Sequence, residues 1–236
     1  MPEHFSKQFD QELEHVRGRV LEMGGLVEEQ IKDALNGLAN ADLPLLDKVV
    51  SLDHKVNMLE VQLDEECQHI IARRQPTAGD MRMVFTVIKT ITDLERIGDE
   101  AEKIARMSRN IYQSGRVQVP RFTEIKHAAE LALRMLRKSL DAFARLDAGL
   151  AAQVVREDMQ VDEEYRAIIR QLITFMMEDP RTISTSIDII TIAKAIERIG
   201  DHAKNMSEYV VFMVKGKDIR HLSLADAERA ALDNDN

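Results

Sequence analysis

An all-α fold, two tandem homologous three-helix bundles built from six long antiparallel helices, is the expectation for this chain. Three observations carry it. The 236 residues are 44% apolar but only 4% aromatic, with no Trp, 10 Gly and 5 Pro. Too few turn formers and aromatics are present for a sandwich or barrel, which needs a turn every 8 to 12 residues or so. The chain is also too apolar to be disordered overall. Apolar residues recur at helical spacing almost from end to end. Finally, Glu95-Arg96-Ile97-Gly98-Asp99 returns as Glu197-Arg198-Ile199-Gly200-Asp201, the mark of an internal repeat.

In the first segment Phe5, Phe9, Val16, Val20, Val27 and Ile31 share one face until Asn36-Gly37 and the stretch from Asn40 to Pro44. The second carries Leu46, Val49, Leu52, Val56, Leu59 and Leu63 and runs on to Ile71. It ends at Gln75-Pro76, since a residue before proline leaves the helical region. The third runs from about Met81 to Ile111. Ser114 to Pro120 is the domain boundary. The fourth shows Phe122, Ile125, Ala129, Ala132, Leu136, Leu140 and Phe143, and breaks at Asp147-Ala148-Gly149. The fifth carries Leu150, Val154, Val161, Ile168 and Leu172 up to Asp179-Pro180, and the sixth spans about Ile183 to Val214. Short loops make successive helices antiparallel neighbours. The expected units are therefore 1–115, a first bundle, 120–217, a second, and 218–236, a polar, flexible tail.

Charge and cysteine narrow the function classes. The net charge of -9 argues against nucleic acid, which needs a basic surface. A single Cys67 allows no intrachain disulfide and suits a reducing compartment. The first residues show no secretory pattern, and no apolar run reaches the roughly 20 residues of a membrane span. A cytoplasmic location is expected. No phosphate-cradling glycine loop, nucleophile elbow or Cys/His pair is present.

The acidic residues offer the one chemical pattern. Glu95 and Asp99, and likewise Glu197 and Asp201, are four apart and so share a helix face. At 100° per residue, Ile88 and Val84 lie within about 20° of Glu95, so the pair sits inside the apolar arc. Asp53 and Asn57 on the second helix, and Asp158 and Asp162 on the fifth, pass the same test. Helices two and three of each half thus aim oxygen donors at one seam. Charge on a core-facing arc is costly unless paired or metal-bound. Such an oxygen set suits a hard cation: Mg²⁺, Mn²⁺, Ca²⁺ or iron. Salt bridges to Lys or Arg, or a solvated end of the seam, are the alternative for the same residues. Glu102 near this arc becomes Lys204 in the second copy, so the two seams are expected to differ. Glu12/His15, Glu66/His69 and Glu124/His127 have the Glu-x-x-His spacing of di-iron bundles. All three face away from the cores, which disfavours a ferritin-like oxidase or storage bundle. A metal-free helical spacer is the third alternative.

The motif from Asp93 to Asp99, its partner from Ala195 to Ala203, Pro76-Thr77-Ala78-Gly79-Asp80-Met81-Arg82 and Asp179-Pro180-Arg181 together resemble the PhoU family of bacterial phosphate-signalling proteins. The resemblance extends from about Phe5 to Lys217. Met81 stands where the family's Pro-x-x-x-Asp-Leu-Arg has Leu. What it implies is a non-enzymatic negative regulator of the phosphate-starvation response. Such a protein is an adaptor between the ATPase subunit of the phosphate ABC transporter and a membrane-bound sensor histidine kinase. It is commonly a homodimer, and reaches the membrane only through these partners. The family's metal-binding elements map onto Glu95, Asp99, Glu197, Asp201, Asp158 and Asp162, with Asp53 and Asn57 as the remaining element. Asn57 departs from the acidic pattern and weakens the charge of the first site. Mg, Mn, Fe or Zn ions are the implied cofactors.

Overall fold

The computed structural model describes residues 7–74, 76–113 and 123–232. Six long helices follow in order: α1 (Lys7–Asn40), α2 (Leu43–Arg74), α3 (Ala78–Gln113), α4 (Thr123–Arg145), α5 (Ala148–Glu178) and α6 (Ile183–Lys215). A short helix, α7 (Leu224–Leu232), follows them, and a single 3₁₀ turn at Pro180–Thr182 precedes α6. The boundary read at Ser114–Pro120 lies outside the described residues. No described helix is long and apolar enough to cross a membrane.

Helices α1, α2 and α3 pack on one another, as do α4, α5 and α6. The two bundles join chiefly through α3 against α6, with α1 against α4 beside it. α2 and α5 do not touch, so the α2/α3 and α5/α6 seams belong to separate bundles. Each stripe read from the sequence is buried: Val20, Val27, Val56 and Leu63 in the first bundle, Leu136, Phe143, Val154 and Val161 in the second, all at most 1% exposed. Cys67 is a buried free thiol that burial pushes up to about 12.

The repeat extends to the turns. Ala41 and Leu146 both take a left-handed backbone, with φ of 55° and 56°. The next residue caps the following helix in each case. Asp42 accepts from the Leu45 amide at 3.0 Å, and Asp147 from the Leu150 amide at 2.9 Å, satisfying an orphan first-turn donor. The Pro76-to-Asp80 signature has its own local cause. The Asp80 carboxylate reaches back to accept from the Thr77 amide (3.0 Å) and hydroxyl (2.6 Å), which ties down the start of α3. Gly98 and Gly200 sit where α3 meets α2 and α6 meets α5. A Cβ on Gly200 would lie 3.4 Å from Val161, and one on Gly98 would lie 3.5 Å from Val56. Each helix pair is thus closely packed at its glycine, with the partner helix's valine at ordinary contact distance from a Cβ.

Two expectations are corrected. Asn36-Gly37 does not end α1, which continues to Asn40; Gly37 instead admits Leu46, whose Cδ2 lies 2.4 Å from where a Cβ would be. The stretch after 217 is not a flexible tail as far as residue 232. Ile219 is 2% exposed, and Ala227, Ala230 and Ala231 of α7 are buried where α7 meets α5. Ser223 starts this helix through its bonds with Asp226. Alanine contributes too little apolar signal for a three-residue stripe to stand out among charged neighbours.

Candidate functional site

Both predicted seams form, and their residues meet across them. In the first bundle Asp53 (α2) is half-buried, and its pKa is raised by burial and then by the facing charges of Glu102 and Asp99. Asn57, one turn on, donates its amide to Asp53 Oδ2 at 3.1 Å. Glu95 is raised by burial and by Asp99. Arg96 approaches Glu95 at 3.5 Å and Asp99 at 3.3 Å from an exposed position. Arg106 is held by Glu102 at 2.6 Å. Three buried acceptors here have no hydrogen-bond donor: Asp53 Oδ1, Asn57 Oδ1 and the Oε1 of Gln30, which reaches in from α1.

The second seam has one carboxylate more, Asp162 in place of Asn57, and a different filling. Asp158 is 7% exposed and accepts from Lys204 at 2.7 Å. Burial works against the Lys204 charge, yet the bond to Asp158 raises its pKa. Lys194 donates to Glu197 at 2.6 Å, and Arg166 approaches Asp162 at 3.6 Å. Asp201 is pushed up to about 6, first by burial and then by Glu197 and Asp158. Among the described residues no three His, Cys, Asp or Glu side chains gather closely enough to hold a metal ion by themselves. Any cation in these seams has to recruit other oxygens or draw the side chains inward.

The Glu-x-x-His pairs point outward as the sequence indicates, but two of them face each other. Glu12, His15, Glu66 and His69 line a groove of about 460 Å³ between α1 and α2. Arg73 also lines it, and the two acids are already paired: Arg74 takes both Glu12 oxygens at 3.0 and 2.5 Å, and Arg19 binds Glu66. Glu124 stays on the surface, while His127 approaches Glu164 at 3.6 Å.

A polar layer joining the bundles has no counterpart among the site residues singled out from the sequence. Asp93 (α3), 6% exposed, lies 2.6 Å from His202 Nδ1 and 3.5 Å from Asn205 of α6. Glu100, 2% exposed, is bracketed by Lys103 at 2.6 Å and Arg198 at 2.7 Å. Burial and the nearby Asp93 raise the Tyr209 phenol. The available signal was complementarity between the copies: α3 offers acids where α6 offers His202 and Arg198.

Known proteins resemble the whole chain. The sequence profile described as the PhoU domain matches residues 20–108 and 125–210, once in each bundle. A Pseudomonas aeruginosa protein described as a phosphate-specific transport system accessory protein PhoU homolog is 47% identical, covering 94% of this chain and 91% of its own length. The Escherichia coli phosphate-specific transport system accessory protein PhoU is 45% identical over 93% of this chain and 90% of its own. The crystal structure of PhoU from Pseudomonas aeruginosa superimposes with a TM-score of 0.85, covering 89% of this chain and 100% of that one. That of the phosphate transport system regulatory protein PhoU from Streptococcus pneumoniae, 27% identical, gives 0.82, covering 89% of this chain and 98% of that one.

Proposed function

The chain belongs to the PhoU family, and we propose that it is a non-enzymatic adaptor that restrains phosphate uptake and the phosphate-starvation response when phosphate is plentiful. It works in the cytoplasm, between the ATPase subunit of the phosphate ABC transporter and the phosphate-sensing membrane histidine kinase, as a homodimer. The observation that carries this reading is the nearly end-to-end match to accessory proteins of the phosphate-specific transport system.

The physical form suits the role. Helices of 32 to 36 residues in the first bundle span about 50 Å at 1.5 Å per residue. They give a stiff body with two long outer helices, α2 and α5, available to partners. A divalent cation in an acidic seam would pin helix two against helix three and fix the face so presented. It would be held by carboxylates such as Asp53, Glu95 and Asp99, and would supply charge neutralisation rather than chemistry. The chain's own residues set the angle between the bundles through Asp93, His202, Glu100 and Arg198.

Deleting the gene should make alkaline phosphatase expression constitutive in phosphate-replete cells, and the wild-type chain should restore repression. Normal repression in the deletion strain refutes the regulatory role. Pull-down with the transporter ATPase and the kinase tests the adaptor step: absence of both from phosphate-replete and phosphate-starved extracts overturns it.

A further inference from the structure

The two seams share their backbone and three of four carboxylate positions, with Asn57 in the first where the second has Asp162, yet among the described residues only the first holds buried oxygens without donors. Gln30 Oε1, Asp53 Oδ1 and Asn57 Oδ1 are the three. Gln30 is 6% exposed, so water offers its oxygen little compensation, and a buried acceptor left unmade costs more than the bond it would form. The space they face is a cradle. A Cβ placed on Gly98 would sit 3.4 Å from Gln30 Oε1 and 3.5 Å from Asp53 Oδ1, so oxygens from α1 and α2 converge over one bare position of α3. Asn57 donates to the other Asp53 oxygen, which holds the carboxylate with Oδ1 free. Turning the Gln30 amide to donate to Asp53 would relieve two of the three, Gln30 Oε1 and Asp53 Oδ1, and still leave Asn57 Oδ1 unmet.

In the second seam no oxygen of Asp158, Asp162, Glu197 or Asp201 is among the buried atoms lacking a partner. Lys204, at the repeat position of Glu102, donates to Asp158. Lys194, at the position of Thr92, donates to Glu197. Two ammonium groups therefore bond seam carboxylates there, whereas in the first seam Arg96 and Arg106 reach Glu95, Asp99 and Glu102 and Asp53 is bonded to the Asn57 amide.

We infer that the chain binds one hard divalent cation, in the first seam only, with the Gln30 amide oxygen of α1 as a ligand beside Asp53 and Asn57, while Lys194 and Lys204 serve as the built-in counter-ions of the second. The inference rests on the proposal that an acidic seam takes a cation, and specifies which seam and which added ligand. Hard cations accept amide and carboxylate oxygens together. The use of amides also explains why carboxylates and imidazoles alone assemble no set of three. Asn57 is then a ligand in its own right rather than a weakened acid. Because Gln30 belongs to α1, the cation would tie all three helices of the first bundle.

The test uses the full chain stripped with chelator and titrated with Mn²⁺, counting bound ion by electron paramagnetic resonance and following thermal unfolding. The expected result is one Mn²⁺ per chain. Gln30→Met should weaken binding at least about tenfold, as loss of a supporting partner commonly does, while Gln30→Glu retains it. Glu102→Lys, which copies the second seam into the first, should abolish binding and make unfolding indifferent to Mn²⁺. A chain that binds no Mn²⁺ overturns the general cation reading. Two ions per chain, or Gln30→Met and Glu102→Lys variants binding like wild type, leave that reading standing and overturn this inference. Should Gln30→Met not fold, the ion count and Glu102→Lys decide the matter.

Discussion

In the first bundle Asp53 faces Asp99 and Glu102 with only the Asn57 amide bonded to it; in the second, Asp158 receives Lys204 and Glu197 receives Lys194. The backbones around these groups agree down to the left-handed turn residues, the aspartate caps and the glycine contacts. The difference teaches that a duplicated scaffold preserves what packing demands and leaves charge balance free to diverge. Packing repeats at Gly98 and Gly200, each of which faces a valine of the partner helix at contact distance. Charge needs only to be compensated, and a lysine or a cation from solution compensates equally well. Asn57 and Lys204 are changes of this second kind.

The largest expected effect comes from making the second seam acidic like the first. Lys204→Glu removes the partner of a carboxylate that is 7% exposed and adds a like charge. Breaking a buried pair costs about 3 to 5 kcal/mol, and the one-third exposure of the Lys204 side chain places this near 3. Urea unfolding in chelator should show the loss, and Mn²⁺ should recover much of it. An unchanged urea midpoint would mean that Lys204 is not the counter-ion of this seam.

A smaller effect is expected from Asp201. Its pKa is raised to about 6, by burial and then by Glu197 and Asp158. A carboxyl whose folded pKa is raised holds its proton more tightly folded than unfolded. Folding is therefore favoured as pH falls from about 6 toward the ordinary 3.8, and the full penalty stands above 6. Asp201→Asn should remove this slope and stabilise the chain at pH 7 by about 1 kcal/mol, after discounting for a carboxyl partly open to solvent. Urea midpoints measured in chelator from pH 4.5 to 7.5 check it; parallel curves for variant and wild type would refute the assignment.

The smallest effect tests sameness rather than difference. Asp42→Ala and Asp147→Ala each remove the cap at the start of the second helix of a bundle, and each should cost about 1 kcal/mol. Thermal unfolding of the two variants should agree within a few tenths of a kcal/mol. A marked inequality would show that the turns, unlike their geometry, are not energetically equivalent.

Much of the site was legible in sequence. The four-residue spacing of Glu95 with Asp99 and of Asp158 with Asp162 placed these groups on apolar arcs, and the structure puts them on the facing helices. The Glu102/Lys204 reversal announced that the seams differ. Gln30 was not legible, because a glutamine on an amphipathic helix has no signature until another helix covers it. Lys194 looked like any exposed helix lysine. His202 lies about 100° round α6 from Asp201, and that rotation brings it to Asp93 of the other bundle.

By itself the sequence determined the six long helices, their order and the duplication. These follow from short-range periodicity, from local capping and from a motif that recurs within one chain. The tertiary structure alone decided which helices cross between bundles, which carboxylates have a lysine within reach and which oxygens are buried without a donor. Those properties depend on distances between segments far apart in the chain. Electrostatic compensation acts across such distances, whereas periodicity reports only the face of a single helix.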